Sequence, residues 1–223
     1  MLRVAFPPHA AAAFTTRAEG NVATHVGDDP AAVDARRRAV AETLGVAGVA
    51  WCEQVHGNAV AVATGAATYP ACAALVTTEP GLALAVMAAD CVPVLLMADG
   101  AVGAAHAGRR GLVAGVVERT LAAVRERGAG DVRAVVGPAI GACCYAVGDD
   151  VAAEVTAALP VTRATTPDGR TSLDLVAGVR EVLAREGVDA TVVGGCTAHL
   201  PDLFFSYRRD GATGRHAGIV WRT

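Results

Sequence analysis

Residues 81–107 read GLALAVMAADCVPVLLMADGAVGAAHA. Three β-like runs fall inside this stretch, at Leu82–Met87, Val94–Met97 and Val102–Ala105. Asp99-Gly100, between the second and third, reads as a hairpin turn. Consecutive strands without an intervening helix argue against a regular doubly wound sheet. Further runs lie at Val49–Val55, Ala59–Ala63, Ala74–Thr77, Val132–Val136 and Thr191–Val193. One helix is predicted after Asp29 as N-cap, with Pro30 at the first helical position and Gly45 just beyond the end. A second is predicted from about Gly111 to Arg127, with Leu112, Val116, Leu121 and Val124 on one apolar face and Gly128 as stop. A third spans about Asp174 to Glu186, and a shorter one starts near Asp149 or Asp150 and ends before Pro160. The fold class that follows is α+β with mixed sheets.

The composition narrows the function classes. Of the 223 residues 53% are apolar and 18% charged, ample material for a core and too little charge for a disordered chain. Net charge is −3 and there is no basic stripe, so nucleic-acid binding has no electrostatic support. There is no Lys, and all 19 cations are Arg, a bias we attribute to codon usage together with the Ala richness. The Gly81–Ala98 run is interrupted by Asp90 and Pro93, which argues against a membrane span. Met1–Pro8 lacks the charged start and sustained apolar stretch of a signal peptide. Six Cys without such a signal are expected to be reduced thiols in a cytoplasmic protein.

Chemistry concentrates at the ends of the β-like runs. His56, in Gln54-Val55-His56-Gly57, Cys91, in Ala89-Asp90-Cys91-Val92-Pro93, and His106, in Ala105-His106-Ala107-Gly108, are candidate metal ligands. Two imidazoles and a thiolate suit Zn²⁺, with a fourth position left for water or substrate, although no short spacing motif certifies the site. A buried Cys or a hydrogen-bonded His is the plainer reading of each residue alone. Asp90 ends an apolar run, where a carboxylate is costly unless paired. It is a candidate general base or ligand-orienting acceptor, or else a strand-end cap. Arg109-Arg110-Gly111 opens the second helix, and guanidinium groups at a helix start suit an anion. Phe204-Phe205-Ser206-Tyr207-Arg208-Arg209 combines aromatics with Arg, a pattern that can stack and bond a planar ring. Gly137–Tyr145 is a tight apolar loop that is neither a P-loop nor a dinucleotide fingerprint, and its adjacent Cys143 and Cys144 need not bind metal. Thr15-Thr16-Arg17 and His25–Asp29 are loop motifs with no chemistry legible in them alone.

Together these motifs resemble the YfiH family, known as the laccase-domain or polyphenol oxidase family and as purine nucleoside phosphorylases. The similar segments are Phe14–Arg17, His25–Pro30, Trp51–Gly57, Ala89–Leu96, His106–Gly108, Gly137–Tyr145 and Phe204–Arg209, in that order over nearly the whole chain. The resemblance implies one catalytic domain over residues 1–223, built as a four-layer α/β/β/α sandwich of two mixed β-sheets. It places the zinc ligands at His56, Cys91 and His106. It implies phosphorolysis of adenosine, inosine and methylthioadenosine, with accompanying adenosine deamination. The expected catalytic set is Asp90, Cys91, His106 and Arg110, with Arg17, Arg208 and Phe205 as substrate-binding residues. The expected partners are a nucleoside and phosphate, without nucleic acid or membrane, for a monomer or homodimer. Three departures from the family pattern stand out: Arg109 replaces a usual Trp, Ala73 a usual Asp, and Glu19-Gly20 a Gly-Gly turn.

Two rival enzymes share these residues. A laccase copper cluster needs on the order of ten histidines, and this chain has six. A single-site Cu²⁺ oxidase on the same His₂Cys set remains open. So does a cysteine hydrolase with Cys91 as nucleophile and His106 as base.

Overall fold

The structure, a computed structural model, describes residues 1–6 and 9–223, so Pro7 and Pro8 of the opening stretch lie outside the described residues. The chain runs through β1 (Leu2–Phe6), β2 (Ala10–Phe14), α1 (Pro30–Leu44), β3 (Gly48–Gln54) and β4 (Val60–Val62). It continues as β5 (Thr68–Cys72), β6 (Ala74–Thr77), β7 (Leu82–Ala88), β8 (Val92–Asp99) and β9 (Ala101–Ala107). Next come α2 (Arg109–Val113), α3 (Val116–Arg125), β10 (Ala129–Val136), α4 (Asp149–Ala158), β11 (Arg163–Thr165) and β12 (Thr171–Leu173). The last elements are α5 (Leu175–Arg185), β13 (Asp189–Val192), α6 (Tyr207–Asp210) and β14 (His216–Arg222).

Two six-stranded sheets form, ordered β1-β2-β14-β7-β3-β5 and β13-β10-β8-β9-β6-β4, and each mixes parallel and antiparallel pairs. Strand periodicity explains how they stack. In β7, Leu82, Leu84 and Val86 enter one apolar cluster while Ala83, Ala85 and Met87 enter another. The first cluster, with Leu95, Val102 and Phe14, lies between the sheets. The second packs the outer face of the first sheet against Val40 and Leu44 of α1. A third joins Val94 and Leu96 of β8 to Leu112, Leu121, Val179 and Leu183 of the other helices. Three cores separate four layers, the α/β/β/α sandwich expected of the resemblance. Buried strands with apolar residues on both faces are what such a stack requires.

Local signals account for the helices, with one correction. Asp29 caps α1 by accepting from Ala31 N–H, and Gly45 ends it in the left-handed region at φ +70°. Asp174 caps α5 in the same way through Ala177 N–H. The helix expected over Gly111–Arg127 is instead two helices, α2 and α3, broken at Gly115, whose φ of +82° no continuing helix adopts. β1, β2, β5 and β14 escaped the periodicity reading. Ala10–Phe14 reads AAAAF and β5 contains Pro70, so neither carries strand propensity, and their pairing is set by neighbours. Close approach also fixes the interior: a Cβ on Gly137 would sit 2.1 Å from the Phe14 ring. All six cysteines are free thiols, and no helix among the described residues is long and apolar enough to cross a membrane.

Candidate metal centre

The chain passes from one sheet to the other through Ala89, Asp90 and Cys91, between β7 and β8, and this crossing forms the floor of a cleft. Asp90 takes φ +98°, a rare conformation for a residue with a side chain. Its surroundings compensate. Asp90 Oδ1 accepts from Thr197 Oγ1 at 2.6 Å, Oδ2 accepts from Arg208 N–H at 2.7 Å, and its carbonyl accepts from Ile140 N–H at 2.9 Å. Three separate segments are therefore tied to one residue.

Cys91 follows directly and meets two imidazoles. His106 is carried by β9, opposite Pro93 of β8, and His56 by the loop after β3. One ligand atom from each of His56, Cys91 and His106 lies within 4.8 Å of the others, with Cys91 Sγ 4.0 Å from His56 Nε2. The two rings meet edge to face at 81°, centroids 5.2 Å apart. Gly108 leaves the room for this: a Cβ there would come within 3.0 Å of both Cys91 Sγ and the His56 ring.

The electrostatics of Cys91 and His106 fit a metal and oppose a thiolate–imidazolium pair between those two. His106 Nδ1 lies 2.9 Å from the Met87 carbonyl, which accepts in the tautomer that leaves Nε2 as a bare lone pair. Nε2 is buried and has no protein partner, an expensive state unless a cation fills it. Burial, then the neighbouring His56, holds His106 down to about 4, so its ring is neutral at pH 7. Burial and the Asp90 carboxylate push the Cys91 thiol up to about 12. Cys91 is thus a poor free nucleophile and His106 a poor proton acceptor. A divalent cation reverses the first shift and uses the second.

The structure redistributes the other expected residues. Arg110 is exposed and does not line the cleft. The buried stripe of α2 runs through Gly111 and Leu112, and a turn of about 100° per residue leaves Arg110 outside it. Arg109 is the nearer of the two to Tyr145 and pairs with Glu154 at 3.2 Å. Arg17 and Phe205 also stand apart from the cleft lining: the guanidinium stacks 4.7 Å over the Phe205 ring and pairs with Asp210 at 3.4 Å. Arg208 does line it, over the Tyr145 ring at 5.0 Å. Asp90 has both oxygens engaged in bonds that hold the loops.

Sequence reasoning left out several cleft residues. Gln54 is the first of them. Its amide brackets the Met87 backbone, accepting from its N–H and donating to its carbonyl at 2.7 Å, and lies 2.8 Å from His106 Nδ1. Arg215, Tyr145, Tyr207 and His25 complete the walls of the cleft, whose volume is about 400 Å³. Burial lowers the pKa of Arg215, with Cys91 and Asp90 opposing. Burial likewise raises that of Tyr145, and Arg109 and Arg208 pull it back. No local pattern announces Arg215, because its place is set by β14 entering the middle of the first sheet. A larger depression of about 530 Å³ over α5, near Arg180 and Glu181, gathers no comparable set of ligands.

Residues 11–223 match the model of the multi-copper polyphenol oxidoreductase laccase family. The chain belongs to this family. A purine nucleoside phosphorylase of Streptomyces coelicolor is 49% identical over 213 residues, covering 91% of this chain and 88% of the relative. A purine nucleoside phosphorylase of Corynebacterium glutamicum is 43% identical, covering 93% and 92%. Among solved structures, a Neisseria meningitidis protein superposes with a TM-score of 0.87 at 37% identity, covering 99% and 98% of the two chains. Bacillus licheniformis YfiH does so at 0.86 and 30% identity, covering 96% and 93%. Among the described residues, two separate groups could hold a metal ion, His56, Cys91 and His106 in the cleft and Cys143, Cys144, Cys196 and His199 outside it.

Proposed function

We propose that this protein is a zinc-dependent purine nucleoside phosphorylase acting on adenosine, inosine and methylthioadenosine, with adenosine deamination as a second activity. The observation that carries the reading is the buried, unpartnered Nε2 of His106 converging with Cys91 and His56 at the floor of a nucleoside-sized cleft. The names of the relatives supply the reaction class. The donor set of two imidazoles and a thiolate suits zinc and leaves room for substrate.

His56, Cys91 and His106 would hold the metal, which would supply Lewis acidity to a substrate atom when bound. The Met87 carbonyl, fixed by the Gln54 amide on both sides of the Met87 backbone, keeps the His106 ring in the ligating orientation. Arg215 and Arg208 bring positive charge to the cleft, while Asp90, its one acidic lining residue, is occupied with the loops. That balance favours hydrogen phosphate as the co-substrate. Tyr145 and Tyr207 offer aromatic faces to a purine. In phosphorolysis a phosphate oxygen bonds to C1′ and the glycosidic bond breaks, its electron pair leaving with the purine. The proton of hydrogen phosphate ends on the base, giving ribose 1-phosphate. The residues act as a single catalytic domain over 1–223, in the cytoplasm, as a monomer or homodimer.

Incubating the metal-replete protein with inosine, with and without phosphate, tests the reading. Ribose 1-phosphate should form only when phosphate is present. Free ribose at the same rate without phosphate would make the protein a hydrolase. Inert nucleosides with copper-dependent oxidation of phenols would favour the oxidase.

A further inference from the structure

A second cluster of soft ligands lies outside the cleft. The loop after β10 carries Cys143 and Cys144 in a turn, closed by Cys144 N–H and Tyr145 N–H donating to the Gly141 carbonyl at 2.9 and 3.1 Å. The loop after β13 carries Cys196 and His199 in a second turn, closed by His199 N–H donating to the Cys196 carbonyl at 3.1 Å. Two backbone bonds join the loops: Ala139 N–H to the Gly195 carbonyl and Thr197 N–H to the Ala139 carbonyl. The three sulfurs and one ring nitrogen of His199 fall within 4.8 Å of one another. Cys143 Sγ is 3.6 Å from His199 Nδ1, and Cys144 Sγ is 3.2 Å from His199 Nε2.

We propose that Cys143, Cys144, Cys196 and His199 form a second metal site, a closed four-ligand centre for zinc. Zinc–sulfur bonds of about 2.3 Å and zinc–nitrogen bonds of about 2.0 Å put tetrahedral ligand atoms roughly 3.5–3.8 Å apart. The ligand atoms, within 4.8 Å of one another, close to that spacing when His199, whose two nitrogens now face Cys143 and Cys144 separately, turns one of them toward all three sulfurs. Three thiolates and an imidazole select a soft or borderline cation over Mg²⁺ or Ca²⁺. The backbone is prepared for it as well. Gly141 N–H donates to Cys196 Sγ at 3.2 Å, an outer contact that favours a thiolate. A Cβ on Gly141 would stand 3.1 Å from Cys143 Sγ and 3.3 Å from Cys196 Cβ, so the glycine keeps the centre of the cluster clear. With four protein ligands the site has no position for substrate, and its work is structural.

The placement gives that work a purpose. Tyr145, adjacent to Cys144, lines the cleft. Thr197, adjacent to Cys196, bonds Asp90 at the cleft floor. A cation held here clamps the two loops that position both, and its binding releases the thiol protons to solvent.

Zinc counting decides the matter. Protein purified without chelator or added metal is analysed by elemental mass spectrometry and native mass spectrometry, beside Cys91→Ser, Cys196→Ser and the double variant. The proposal expects Cys196→Ser to lose one zinc per chain relative to wild type, and Cys91→Ser to keep the Cys196-dependent zinc. A wild type with one zinc that Cys196→Ser loses and Cys91→Ser keeps would support this site while sinking the reading of the first. Equal zinc in wild type and Cys196→Ser overturns the proposal, as does a reducible Cys143–Cys196 cross-link in the peptide map of the native protein. Should Cys196→Ser not fold, Co²⁺ added to metal-stripped Cys91→Ser supplies the answer. Intense tetrahedral visible bands with thiolate charge transfer support the site, and a weak octahedral spectrum overturns it.

Discussion

Thr197 Oγ1 donates to Asp90 Oδ1 at 2.6 Å across 107 residues of chain. The bond joins the loop after β13 to the crossing between the sheets, beside the residue that presents its thiol to the two imidazoles. Asp90 is held at φ +98° while it accepts this bond and a second from Arg208 N–H. Its carboxylate therefore maintains the shape of the cleft floor.

Asp90→Ala should lower stability by about 2 kcal/mol, because it strips the acceptor from two donors and leaves a side chain in the left-handed region. Thermal or denaturant unfolding measures this directly. Full stability and a full zinc complement with lost turnover would return Asp90 to the role of general base.

Gln54→Ala should weaken zinc binding by about 10–100-fold with little change in fold, because the amide orients His106 through the Met87 backbone. Competition with a chromophoric chelator gives the affinity. An unchanged dissociation constant would leave Gln54 as a strand-end residue only.

Arg215→Gln should raise the KM for phosphate at least about tenfold, more than that for nucleoside, because a charge-assisted contact to the anion is lost. Arg110→Gln should change either KM by less than about twofold, since Arg110 is exposed away from the cleft. The reverse ranking would restore the helix-start anion site that the sequence suggested.

His216 packs beside the Phe204 ring, centroids 5.2 Å apart, and is buried with neither ring nitrogen partnered by a side chain. Burial, partly opposed by the Pro138 carbonyl, pushes its pKa down to about 3. A depressed folded-state pKa means that the unfolded chain takes the proton first. The stability contributed by neutral His216 is complete above about pH 6.5 and is lost progressively toward pH 3, by at most about 1.4 kcal/mol per pH unit. His216→Gln should make the loss of stability between pH 6.5 and 4.5 shallower by about one proton. An unchanged slope would mean that the imidazole titrates normally in the folded protein.

Much of the layout was legible in the linear pattern. Capping by Asp29, the helix over about Asp174 to Glu186 and the apolar runs of β7, β8 and β9 are local signals that the structure keeps. The motifs around His56, Cys91 and His106 nominated the three residues that now lie within 4.8 Å of one another. Gly57 and Gly108 follow the two histidines closely in sequence, and at Gly108 a Cβ would crowd two of the ligands.

Where two distant segments meet, the linear pattern carries no signal. Arg110 and Arg109 differ by one step along α2, and only packing of Gly111 and Leu112 decides which of them is exposed. Gln54, Arg215 and the Cys143–Cys196 cluster depend on strand order, which side-chain periodicity does not encode. Strand β2 illustrates the same limit, since its AAAAF segment acquires strand form from its partners β1 and β14 and not from propensity. Sequence thus determined which residues carry chemistry and which faces are apolar, because those are properties of single side chains and their spacing. The tertiary structure decided which of them share one cleft, because that follows from how two sheets cross and pack.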